Sequence, residues 1–134
     1  MLLAEQQDKP LTADTDRKGR DLCETLEAID ETIHQKVRLG IMSALIAQEE
    51  CDFRFLKETL GVTDGNLSIH IAKLEEAGYL SVRKEFVRRK PRTTYQATQE
   101  GRDAFRSYLR LLEEIVARAG QSAHAERKAA SADA

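Results

Sequence analysis

The sequence predicts a mainly α (α+β) fold: a helix-turn-helix followed by a two- or three-stranded β element, with an added helix at each end. Three observations carry this. Phe53, Leu56 and Leu60 fall at helical spacing, and Gly61 stops them in the manner of a left-handed helix terminator. Thr63 then opens a second helix as its cap, with Leu67, Ile71 and Leu74 on one face and Gly78 at its end. After Gly78 the period changes to two: Leu80 and Val82 alternate with Ser81 and Arg83, and Thr93, Tyr95 and Ala97 offer a returning strand.

Length and composition set the limits. At 134 residues the chain has room for one core. A third of it is charged, yet the net charge is −2, so bulk charge does not identify a partner. Distribution does. Residues 1–33 hold nine acids and four bases, whereas Val82–Arg92 holds six Lys or Arg against Glu85 alone. Screening confines attraction for phosphate to about 8–10 Å in physiological salt, so the local patch outweighs the total. Cys23 and Cys51 are too few for a disulfide framework, and no apolar run suggests a signal peptide or a membrane span. The expectation is a cytoplasmic protein with reduced thiols. His34, His70 and His124 lack ligand spacing, so no metal or cofactor is expected and the cysteines read as free thiols.

Taken in order, residues 1–16 are polar, contain Pro10 and show no period, which suggests a disordered arm. Over 17–33 the apolar residues Leu22, Leu26, Ile29 and Ile33 form a helical stripe. Lys36–Gln48 reads as the first core helix. It is apolar on two faces (Val37, Ile41, Leu45 and Leu39, Met42, Ile46), hence buried on both. Glu49, Glu50 and Asp52 end it, with Cys51 a candidate for a short third strand. Residues 34–97 form the central domain. Thr98 is a good cap for a helix over 98–120, with Glu100 in its first turn. Along it Phe105, Tyr108, Leu109, Leu112, Ile115 and Val116 recur in steps of three and four, like a coiled-coil seam, and Gly120 marks its end. Residues 121–134 are rich in Ala, Ser and charge and read as a disordered tail.

A helix-turn-helix with a basic hairpin behind it is a winged helix, and its natural ligand is duplex DNA. In such proteins the second helix enters the major groove. With Leu67, Ile71 and Leu74 turned to the core, the helix over 63–77 offers Thr63, Asp64, Gly65, Asn66, Ser68, Ile69, His70 and Lys73 to DNA. Asn66 can pair with adenine in bidentate fashion, Ser68 can reach a base or a phosphate, and Ile69 can touch a thymine methyl. Gly65 clears space for the backbone, and the helix start suits a phosphate. His70 has two readings, a DNA contact or a side chain tied into helix packing. The wing at 82–93 offers Arg83, Lys84, Arg88, Arg89, Lys90 and Arg92, with Arg89 and Lys90 at the tip. Leu22, Leu26, Ile29, Phe105, Tyr108, Leu109, Leu112, Ile115 and Val116 are the candidates for a homodimer interface, because so long an apolar seam lacks a partner in a small core. The alternative is that the seam folds onto the 17–33 helix of its own chain.

The wording of this stretch resembles the small MarR/ArsR-like winged-helix transcriptional regulators. The residues that carry the likeness are Arg38-Leu39, Phe53, Leu56 and Leu60-Gly61, Thr63 to Ser68 with His70, Leu74 to Tyr79, Arg89 to Thr93, and Thr98 to Arg102. The likeness spans about His34 to Leu112 and is most specific in Asp-Gly-Asn-Leu-Ser followed by Glu-Glu-Ala-Gly-Tyr. It implies a winged-helix fold and regulation of transcription. Two positions depart from it: Ile69 stands where relatives often carry a base, and Arg88 where Gly is frequent in the wing. No phosphate loop, His-Glu-x-x-His or paired nucleophile and base appears, so an enzyme is not expected. The expected function is a DNA-binding regulator, a repressor by the simpler mechanism, binding a near-palindromic site as a homodimer. The competing class is a winged helix whose basic hairpin meets an acidic protein. No polar cluster marks an effector pocket.

Overall fold

The computed structural model describes residues 21–133, and from 122 onward the helix backbone alone. The expected 1–16 arm and the first four residues of the expected 17–33 helix lie outside the described residues. The chain divides into two compact units, Asp30–Arg110 and a second made by residues up to Ile29 with those from Leu111.

In Asp30–Arg110 the elements run α2 (Lys36–Gln48), β1 (Cys51–Asp52), α3 (Phe53–Leu60), α4 (Asp64–Glu76), β2 (Leu80–Val87), β3 (Lys90–Ala97) and the start of α5 (Gln99–Asp133); α1 (Leu22–Ala28) precedes them. The strands form one antiparallel sheet in the order β1-β3-β2. This is the winged-helix architecture. Ile41, Met42 and Leu45 of α2, Leu56 of α3 and Leu67 and Leu74 of α4 have no exposed surface. Each such side chain contributes about 1.5–3 kcal/mol. Val37, Leu39 and Ile46 are half-buried, so both faces of α2 are covered as its two apolar stripes require.

Gly61, Thr63 and Thr98 stand at helix ends as the sequence reading expects, and two further caps come from Gln35 and Asp52. The Gln35 side chain accepts from the N–H groups of Val37 and Arg38, and Asp52 accepts from Phe55 N–H. Gly61 ends α3 at φ 66, ψ 40, the left-handed conformation that Gly adopts without steric cost. Thr63 Oγ1 then accepts from Asn66 N–H at 3.1 Å and starts α4. At the far side of the hairpin, the Thr98 hydroxyl accepts from Gly101 N–H at 2.9 Å and donates to Gly78 carbonyl at 2.6 Å. A Cβ at Gly101 would lie 2.2 Å from the Tyr79 carbonyl oxygen, so only Gly lets α5 start this close to the chain leaving α4.

Three elements differ from the sequence reading. The N-terminal helix stops at Ala28 and does not reach Ile33. Asp30 Oδ1 accepts from the N–H groups of Thr32 and Ile33, and that local turn replaces helical bonding. The hairpin tip is Arg88–Arg89 and not Arg89–Lys90: the strands run to Val87 and from Lys90, so Lys90 already pairs in the ladder and a two-residue turn remains. Finally, α5 continues through Gly120 to Asp133, so helix stands where a tail was expected. A helical Gly costs about 1 kcal/mol relative to Ala, and the alanines on both sides of it are the best helix formers.

Candidate nucleic-acid interface

The two halves of α4 divide as its periodicity requires. Leu67, Ile71 and Leu74 are buried, while Thr63, Asp64, Gly65, Asn66, Ser68, Ile69 and Lys73 are exposed, Ile69 by 57%. The Asn66 side chain is not consumed by the cap, because the cap bond uses its backbone N–H. Asp64 lies where an acid stabilises the helix dipole, and its carboxylate takes an ion pair from Lys57 Nζ at 2.8 Å. That pair moderates the repulsion an acid would exert on a phosphate.

His70 stands apart from this face. Arg38 Nη1 lies 3.0 Å from His70 Nδ1, and Arg38 Nε donates to the Thr32 carbonyl at 2.6 Å. Guanidinium has only donors, so Nδ1 must accept and the neutral ring carries its proton on Nε2. Burial, then the charges of Arg38 and Lys73, pull the His70 pKa below its usual range. His70 is therefore tied into the packing between α2 and α4. The reading of His70 as a side chain tied into helix packing describes this position. Arg38 was not among the predicted site residues; its only signal in the sequence was its place in the family likeness.

The hairpin ends in Arg88 (φ 55) and Arg89 (φ 68), both left-handed. A two-residue turn with two positive φ values matches the twist of its strands, and Asn and Gly are the usual occupants. Two arginines there carry a strain cost of about 1 kcal/mol or more each. Of the six wing cations, Arg83 lies 3.6 Å from Glu85 and 4.0 Å from Glu50. Lys84, Arg88, Arg89, Lys90 and Arg92 are exposed and form no ion pair among the described residues. Between hairpin and helix lies a groove of about 380 Å³, lined by Ser68, Ala72 and Glu75 on one side and Val82, Lys84 and Thr93 on the other. The exposed face of α4 and the hairpin strands face each other across it.

The expected interface residues fall into two groups. Phe105 and Tyr108 are buried at 8% and 1% exposure in their own chain, their rings stacked at 6.5 Å, and Tyr108 Oη lies 2.7 Å from His34 Nδ1. Core packing already occupies both. Leu22, Leu26, Leu109 and Val116 are exposed, while Ile29, Leu112 and Ile115 are half-buried. In the second unit the buried residue of α1 is Thr25, which donates to the Asp21 carbonyl at 3.1 Å and sits 3.4 Å from Glu114 Oε1. Its polarity hid it from a search for apolar stripes.

Cys51 is buried, and burial followed by the charges of Asp52 and Glu50 pushes its thiol pKa up, which makes it a poor nucleophile. Cys23 is exposed. Among the described residues no group of three or more His, Cys, Asp or Glu could hold a metal ion, and no helix is long and apolar enough to cross a membrane.

The winged helix DNA-binding domain family matches residues 37–116, more than half the chain. The protein belongs to that family. An uncharacterised protein of Methanocaldococcus jannaschii is 41% identical over 73 residues, which are 54% of this chain and 79% of that one. A transcriptional regulator homologue from Pyrococcus horikoshii is 30% identical with a TM-score of 0.64, over 71% of this winged-helix chain and 92% of its own. A regulator of the MarR family from Enterococcus faecalis shares the fold at 24% identity and a TM-score of 0.64, covering 78% and 94%.

Proposed function

We propose that this winged-helix protein is a sequence-specific transcriptional regulator that binds a near-palindromic site in duplex DNA as a homodimer. In this reading α4 lies in the major groove, with Asn66, Ser68 and Ile69 at base edges and Lys73 toward the backbone. The hairpin sets its cations against the neighbouring phosphates or minor groove. One observation carries the reading: the uncovered face of α4 stands across a groove from a hairpin with five cations outside any ion pair among the described residues. An acidic protein could meet the hairpin, but it would leave the exposed Asn66, Ser68 and Ile69 unused.

The homodimer rests on apolar surface. Leu109 and Val116 are 42% and 68% exposed at helical spacing on α5, with Leu112 between them half-buried. Contiguous apolar surface on a soluble chain marks an interface. Occlusion of a promoter is the simplest action for such a dimer, which makes repression the expected sign. Titration of duplex DNA at rising salt tests the DNA assignment: affinity should fall log-linearly. Undetectable binding at low salt would refute it in favour of an acidic protein partner.

A further inference from the structure

The wing carries more than charge. Phe86 is 76% exposed, more than any other large hydrophobic residue in the described part of the chain. Its partner across the hairpin is Pro91. Pro has no N–H, so the two cannot exchange ladder bonds; this is a non-hydrogen-bonded pair, in which facing side chains approach most closely. The pair stands next to the two-residue turn, so its position is held by the ladder on one side and the turn on the other.

Its direction follows from the period of the strand. Leu80 is buried, and Val82 and Lys84 line the groove opposite α4. Phe86 is the next residue on that same face. By Phe86 the core has ended: exposure on this face rises from 2% at Leu80 to 76%. Among the described residues the ring is thus left largely outside the core, with Pro91 as its partner across the hairpin. It lies on the side of the wing that looks across the groove, surrounded in sequence by Lys84, Arg88, Arg89, Lys90 and Arg92.

We propose that Phe86, backed by Pro91, is an apolar contact for DNA, packing on the deoxyribose wall of the minor groove while the flanking cations hold the phosphates. This rests on the DNA-binding reading above. The choice of occupant follows from charge. Cations that crowd an apolar ring disfavour a purely apolar protein surface, whereas a DNA strand presents phosphate beside apolar sugar edges at the spacing of one nucleotide. Apolar side chains, Phe among them, are used elsewhere to wedge into minor grooves.

Such a contact has a signature that charge does not. Burying a ring against sugar displaces no counterion, so its removal should lower affinity without changing the salt slope. The test uses wild type, Phe86→Ala and Phe86→Leu with a fluorescent duplex selected from a random pool, titrated over a salt series. Phe86→Ala should bind about tenfold more weakly at every salt concentration, on a line parallel to wild type. Phe86→Leu should recover most of the loss, and melting temperatures should be alike because the side chain is exposed. Unchanged affinity of Phe86→Ala, a flattened slope, or an altered sedimentation state would overturn the proposal while leaving the DNA assignment standing. If wild type binds no duplex, both fall together.

Discussion

Replacing Arg89 and Lys90 by Ala together isolates the electrostatic share of DNA binding. Both side chains are exposed, Arg89 in the two-residue turn and Lys90 beside it at the start of β3, and neither forms an ion pair among the described residues. Ala keeps a Cβ at position 89, where φ is 68, so backbone strain is nearly unchanged and the turn is preserved. Each neutralised phosphate contributes about 0.9 to the magnitude of the slope of log affinity against log salt, so losing both contacts should flatten it by about 1.8. Between about 50 and 200 mM salt, a span of about 0.6 log units, the advantage of wild type over the variant should therefore shrink roughly twelvefold. Fluorescence anisotropy with a labelled duplex at four or more salt concentrations measures this directly. Arg83→Ala is the internal control. Its guanidinium already neighbours Glu85 and Glu50, and its removal should change the slope far less. Parallel lines for wild type and the double variant, or an equal effect from Arg83→Ala, would refute the assignment of the tip to phosphate.

Asn66→Ala should cost about 1–3 kcal/mol on the selected duplex and relax selectivity at one base pair, with helix content retained because the Thr63 cap uses the backbone; equal loss on random duplex would show that Asn66 reads nothing. Leu109→Glu with Leu112→Glu should yield monomers in sedimentation and weaken operator binding more than one lost contact could, since the second half-site becomes a separate event. A wild-type monomer at micromolar concentration, or a variant that stays dimeric, would sink the seam. The Tyr79 hydroxyl donates to Asp30 Oδ2 at 2.5 Å, and that bond, with burial and nearby carboxylates, pushes its pKa from 10.0 up to about 12. Its folded pKa lies above the unfolded value, so the stabilisation is full below about pH 10 and lost as pH rises to about 12. Tyr79→Phe should destabilise the fold by about 1.5–3 kcal/mol at neutral pH and remove that alkaline loss, as followed by denaturant melts at several pH values.

The sequence by itself determined most of the winged helix, because its punctuation and periods are local. Gly61, Thr63, Gly78 and Thr98 act through their own φ angles or through bonds to residues three or four positions away, apart from the reach of Thr98 to the Gly78 and Tyr79 carbonyls. The apolar faces of α2 and α4 follow from spacing alone. The exposed face of α4 was legible for the same reason: once Leu67, Ile71 and Leu74 turn inward, the helical period assigns the outer face. Where local preference was ambiguous, only the tertiary structure decided. Leu22, Leu26, Ile29 and Ile33 form a good stripe, but the Asp30 carboxylate takes the N–H groups that a longer helix would need and is itself held by Tyr79, 49 residues away. Arg38 and His70 are 32 residues apart, and their bond, which sets the histidine tautomer, comes from packing α2 on α4. The hairpin shows the same division. Alternation placed the strands, yet pairing Phe86 with Pro91 requires a register, and that register depends on a turn that two arginines adopt against their own backbone preference. Tyr108 and Leu109 are neighbours on one apolar seam. One is consumed by the core and the other left at the surface, because spacing defines a face but only the fold determines how much of that face its own chain can cover.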